Sequence, residues 1–160
     1  MIIETTRFGS FEVEPEDRLF FPEGILGLPN LKHFILLDHE GGVFQWLQAC
    51  EDPDMAFVVI DPNLIVQDHN IKLNDSDLKV LGVEELQGTD EGQEIAVCGI
   101  VNVSDPRNPT VNLLAPICIA ARTRRGMQIV QHHAGYSTRH EINRRPRRIP
   151  AAEKVETQAA

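Results

Sequence analysis

The sequence lacks most features that announce chemistry. Only three cysteines occur in 160 residues (Cys50, Cys98 and Cys118), and no two form a CxxC pair. An odd set without that spacing disfavours a disulfide framework and a zinc knuckle, and fits reduced thiols in a cytosol. The opening "MIIETTRFGS" has no basic segment followed by an apolar one, so no secretory signal is expected. No window approaches the ~20 apolar residues of a transmembrane helix. The longest apolar stretch, Thr110 to Ala121, is interrupted by Asn112 and Pro116. These absences predict a soluble, cytoplasmic protein with no membrane contact.

Catalytic signatures are missing too. There is no GxSxG, P-loop, GxGxxG or HExxH. "GILGLPN" has two glycines but not the lysine of a phosphate cradle. His132 and His133 are adjacent, and neighbours on a strand point to opposite faces, so they do not share a metal. The expectation is no catalysis, no cofactor and no metal.

Positive charge is scarce over most of the chain. Residues 1–105 carry 21 acids and 5 bases, a net of −16, whereas residues 106–160 carry 3 acids and 10 bases, a net of +7. An acidic body repels nucleic acid and attracts basic surfaces.

What is present is mostly strand. The chain length suits one domain, and an apolar content of 42% supplies a core. Strands are predicted over Phe8–Val13, Arg18–Phe21, His33–Asp38, Gly41–Ala49, Met55–Asp61, Glu94–Ser104, Thr110–Ala121 and Met127–His133. Met55–Asp61 is nearly all apolar, as in a strand covered on both faces. Gly-Gly at 41–42 predicts a hairpin between the third and fourth of these. "RTRRG" (122–126) predicts a second hairpin, with Gly126 free to take positive φ. "NDSDLKVLGV" is the helix signal, with Asp75 or Ser76 as cap and Gly82 as stop. The fold class expected is mainly β, a small antiparallel β-barrel-like fold with one or two short helices, spanning residues 1–142. A flexible basic tail would follow over 143–160.

Candidate contact residues follow from composition. Trp46 lies in "VFQWLQ" beside an acidic turn, "CEDPD". Tryptophan is enriched at binding hot spots. Two readings stand: Phe44 and Trp46 are core and the acidic turn a solvated rim, or Trp46, Gln48, Glu51, Asp52 and Asp54 form part of a surface for a basic partner. Asn112, inside the apolar run, is expected to hydrogen-bond a neighbouring loop and fix the break at Pro116, or to touch a partner directly. The arginines of "RRPRR" (144–148) suggest a rival reading, an RNA-binding regulatory module. No aromatic interleaves with them, however, and the acidic body opposes it.

Three segments, "GILGLPNLKHFILLD", "FQWLQACEDPDMAFVVIDP" and "TVNLLAPICIAARTRRGMQIV", resemble in order the landmarks of the bacterial flagellar assembly factor FliW family. The family pattern falls on Gly27–Pro29, Leu47–Gln48, Phe57–Pro62, Ser76–Leu81, Asn112–Ile117 and Gly126–Gln128. His69 stands where the family often has an aromatic, and Ala120 or Ala121 where it often has an asparagine. The resemblance implies a non-enzymatic cytoplasmic regulator. It would bind newly made flagellin and also sequester CsrA, an RNA-binding translational repressor, so that flagellin level is coupled to flagellin translation.

Overall fold

The computed structural model describes residues 1–38, 42–83, 95–132 and 135–142. Within them are eleven strands: β1 (Ile2–Thr5), β2 (Gly9–Glu12), β3 (Leu19–Phe20), β4 (His33–Asp38), β5 (Gln45–Ala49), β6 (Ala56–Ile60), β7 (Ile95–Asn102), β8 (Thr110–Val111), β9 (Ile117–Ala120), β10 (Arg125–Gln128) and β11 (His140–Glu141). One α-helix, α1 (Asp75–Leu81), and two single 3₁₀ turns (Pro15–Asp17 and Pro62–Leu64) complete the set.

Seven strands close a barrel. The order β7-β6-β5-β4-β3-β10-β9 returns to β7 through the β7–β9 pairing. Closure removes the sheet edges on which unwanted pairing starts. The expected antiparallel barrel is corrected at one seam, because β3 and β10 run parallel. There the Phe20 amide donates to Arg124 O at 2.9 Å. The interior holds Leu19, Phe21, Phe34, Leu47, Ala49, Val59, Ile117 and Ile119.

Three pieces cover the outside. The β1–β2 hairpin lays Ile3 and Val13 against Ile35 of β4. Ile65, Val66, Tyr136 and Ile142 cover Ile60, Val101 and Val111. Helix α1 presents Leu81 to Cys118 and Ala120 of β9. β6 is thus covered on both faces, as its continuous apolar run predicts.

The helix starts earlier than its expected caps. Asn74 is the N-cap: its Oδ1 accepts from the Asp77 amide at 2.8 Å, and Asp77 Oδ2 accepts from the Asn74 amide at 3.0 Å. This reciprocal pair satisfies two amides that no helical carbonyl reaches. Gly82 ends the helix at φ 75°, as expected. Thr123 Oγ1 and Arg125 Nη1 then donate to the Leu81 and Val80 carbonyls, tying the helix to the β9–β10 turn.

Two expectations around the longest apolar run are corrected. Thr110–Ala121 is two strands, not one, because residues 112–116 form a break between β8 and β9. The Ile129 and Gln131 amides still donate to Pro116 O and Leu114 O across that break. In the 122–126 hairpin, Arg124 takes positive φ (59°), while Gly126 lies inside β10. Gly126 serves a close approach instead: a Cβ there would stand 2.5 Å from Phe21 Cε1. The expected tail, 143–160, lies outside the described residues, as do Gly41, Glu94 and His133.

His69 sits in the covering layer, its ring stacked on Tyr136 at 4.6 Å. The Tyr136 hydroxyl in turn accepts from the Asn70 amide at 2.9 Å. Burial lowers the His69 pKa, against the opposing effects of a hydrogen bond to the Leu113 backbone and of the Asp61 carboxylate. A histidine with a depressed folded pKa binds more protons unfolded than folded. Its contribution to stability is therefore lost as pH falls below about 6.5, and the partial exposure of the ring keeps that loss small. Urea unfolding at pH 7 and pH 5 should show a smaller acid loss for His69→Phe than for the parent.

Candidate functional site

Gln48 and the acidic turn stand at the closed end of the β5–β6 hairpin, with Trp46 two residues before Gln48 on β5. Trp46 is cross-strand neighbour to Leu37 and Val58 on the outer face of the barrel. Its indole is half-buried under the tip of the β1–β2 hairpin. Phe8 meets the ring edge-on at 5.7 Å, and Arg7 Cζ stands 4.8 Å from its centroid. The same tip is anchored one residue earlier. The Thr6 amide donates to Pro53 O at 2.9 Å, and Thr6 Oγ1 donates to Asp54 Oδ1.

The three carboxylates differ in their engagement. Glu51 reaches back to β4: Oε1 accepts from the Lys32 and His33 amides at 3.2 and 3.1 Å, and Oε2 lies 2.7 Å from His33 Nδ1. Asp52 Oδ1 accepts from the Asp54 amide at 3.0 Å, a local turn bond that shapes the loop. Glu51 and Asp54 remain exposed and Asp52 is half-buried. The rim is acidic and ordered by its own hydrogen bonds.

Gln48 does not reach that surface. It is 0% exposed, and its Nε2 donates to the carbonyls of Ala49, Asp52, Pro53 and Met55 at 3.0–3.4 Å. The contact expected of it gives way to a scaffold role: its amide gathers the carbonyls of the acidic turn. Asn112 lies apart from this cluster, after β8. Its Oδ1 accepts from the Leu114 and Ala115 amides at 3.1 and 2.9 Å. It does fix the break at Pro116, but by bonds to the residues that follow it rather than to a neighbouring loop.

A second glutamine joins two of the sequence motifs. Gln128 Oε1 accepts from the Leu26 amide at 3.0 Å, and its Nε2 donates to Ala115 O at 2.9 Å. The "GILGLPN" loop is thereby tied to the "NLLAPI" segment.

Thr6, Arg7 and Phe8 belong to the Trp46 site and escape sequence reasoning. Nothing local links "TRF" to a tryptophan some forty positions away; only its place in a short turn between polar strands is a signal. The cysteines add no reactive group. Burial pushes the Cys98 and Cys118 thiols up to about 12, and burial with the nearby Glu51 carboxylate pushes Cys50 to about 11. Among the described residues, no three histidine, cysteine, aspartate or glutamate side chains are grouped to hold a metal ion, and no helix is long and apolar enough to cross a membrane.

The arrangement offers recognition: a partly exposed aromatic, a cation on its face and a carboxylate rim. Comparison with known proteins bears on whose recognition it is. The family model described as FliW protein matches residues 2–142. The flagellar assembly factor FliW of Syntrophotalea carbinolica is 35% identical over 138 residues, covering 86% of this chain and 94% of that protein. FliW 2 of Desulfotalea psychrophila is 38% identical over 136 residues, covering 84% and 85%. A crystal structure of the flagellar assembly factor FliW superposes with a TM-score of 0.78 at 31% identity, covering 88% of this chain and 96% of that one. The closed barrel and the sequence agreement lead to one assignment: this chain belongs to the FliW family.

Proposed function

We propose that the chain is a cytoplasmic flagellar assembly factor that binds newly made flagellin and sequesters a CsrA-type translational repressor, without catalysing a reaction. The observation that carries this reading is family membership over residues 2–142, among relatives named as flagellar assembly factors. The acidic rim supports the second half. An RNA-binding repressor presents a basic face, and the acidic turn of Glu51, Asp52 and Asp54 offers a complementary one.

The test is a binding competition with purified flagellin and CsrA. Each should bind the chain at micromolar concentration or better, flagellin should release CsrA, and Asp52→Lys/Asp54→Lys should weaken the CsrA complex at least tenfold. Absence of both complexes would remove the proposal. Capture of nuclease-sensitive RNA alone from cytosol would favour the arginines at 144–148 as the working element.

A further inference from the structure

We propose that the face of the Trp46 indole is a seat for an arginine or lysine side chain of a basic partner protein, and that Arg7 occupies this seat in the free chain. The inference rests on the reading that the acidic rim receives a basic partner, and it specifies the chemistry of one contact there.

Arg7 shows that the seat takes a cation. Its Cζ stands 4.8 Å from the ring centroid, inside the roughly 6 Å over which the negative face of an indole attracts a guanidinium. Phe8 stands edge-on to the same ring and walls one side. Arg7 is also replaceable. It is exposed, and no salt bridge to a described carboxylate holds it. An exposed contact of this kind changes an equilibrium by only about two- to fivefold.

The tether lies elsewhere. Thr6 fastens the tip through Pro53 O and Asp54, so the Arg7 side chain can leave while its backbone stays. The Thr6 anchor joins the seat to the Asp52–Asp54 turn through the hairpin tip, so an incoming guanidinium would approach an acidic neighbourhood. The planar guanidinium stacks on an indole face better than an ammonium does, which suits arginine better than lysine. The net −16 of residues 1–105 favours its approach.

The chain has one tryptophan, so its fluorescence reports this seat directly. The probe is a capped tetra-arginine peptide, titrated into the full-length protein at low salt with tetra-glutamate as control. Peptide binding should change the Trp46 emission. Arg7→Ala should bind the peptide about threefold tighter than the parent, because the resident cation is gone. Trp46→Leu, followed with a labelled peptide, should bind at least threefold weaker, with Trp46→Phe between the two.

Unchanged affinity in Arg7→Ala, a surface variant that leaves the core intact, would overturn the proposal. So would full affinity in Trp46→Leu. If replacing Arg144, Arg145, Arg147 and Arg148 by serine reproduced the Arg7→Ala gain, the chain's own arginines would be the occupant and the partner assignment would fall. If CsrA bound but Arg7 and Trp46 proved neutral, the seat would fall and the function would stand. If the peptide series came out as expected but neither CsrA nor flagellin bound, the seat would stand and the function would fall.

Discussion

Gly126→Ala is expected to lower the thermal unfolding midpoint by roughly 5–10 °C, a loss of about 2–3 kcal/mol from overpacking. The added methyl would sit 2.5 Å from Cε1 and 2.8 Å from Cε2 of Phe21. Phe21 is 0% exposed and packs edge-on against Phe34 at 5.0 Å, so its ring has no free direction of retreat. The strain falls where β10 meets β3, the parallel seam that closes the barrel. A double-mutant cycle separates this cause from a general loss of helix or strand preference. Phe21→Leu should lose stability by itself, yet the pair with Gly126→Ala should lose less than the sum of the two. Strict additivity would show that the ring contact is not the reason for glycine here.

Gln48→Glu is expected to be at least as damaging, costing about 3 kcal/mol or more at pH 7. It would place a buried carboxylate against four carbonyl oxygens now served by one amide nitrogen. Gln48→Met should cost less, about 1–2 kcal/mol, because three of those carbonyls keep backbone donors. Met55 O, Pro53 O and Asp52 O accept from the Ala49, Thr6 and Met55 amides. Facing only acceptors, the introduced carboxyl would have its pKa raised, so its penalty is full at neutral pH and shrinks on acidification. Urea denaturation of both variants at pH 7 and pH 5 checks the order and the sign. A Gln48→Glu protein as stable as the parent would mean that the turn opens without cost.

How much of this is legible in the sequence depends on how local its cause is. β4 coincides with the predicted His33–Asp38, because six compact, mostly apolar residues between turn signals leave few alternatives. The helix stop at Gly82 is legible for the same reason, while the start falls one or two residues before the expected caps because Asn74 takes that role. The β1 strand, "IIET", escapes prediction, since four residues show too little alternation. The parallel seam is built on a two-residue strand and a distant partner, and no local pattern encodes it. At the site, Trp46 stands out by rarity. Gln48 misleads because alternation puts it on the same outer face as Trp46. That face is not uniformly open: the β1–β2 hairpin packs on Ile35, the residue opposite Gln48, and leaves Trp46 half-covered. Asn112 is legible as a fixing residue, because asparagine before a chain break commonly bonds the amides just after it.

The parallel seam also sets an order of events. β4, β5 and β6 are consecutive in the chain and pair antiparallel, so they can assemble as a meander as soon as they are made. The seam pairs Phe20 with Arg125, more than a hundred positions further on. At roughly 5–20 residues per second, a ribosome needs several seconds to deliver the second partner after the first. Until then Leu19 and Phe21 have no β10 to close against, and the cylinder stays an open sheet with an unpaired margin. Closing so long a loop is a late and slow step. The nascent chain is therefore most exposed to wrong pairings just before its last third emerges, and the finished barrel appears only after nearly all of it has been synthesised.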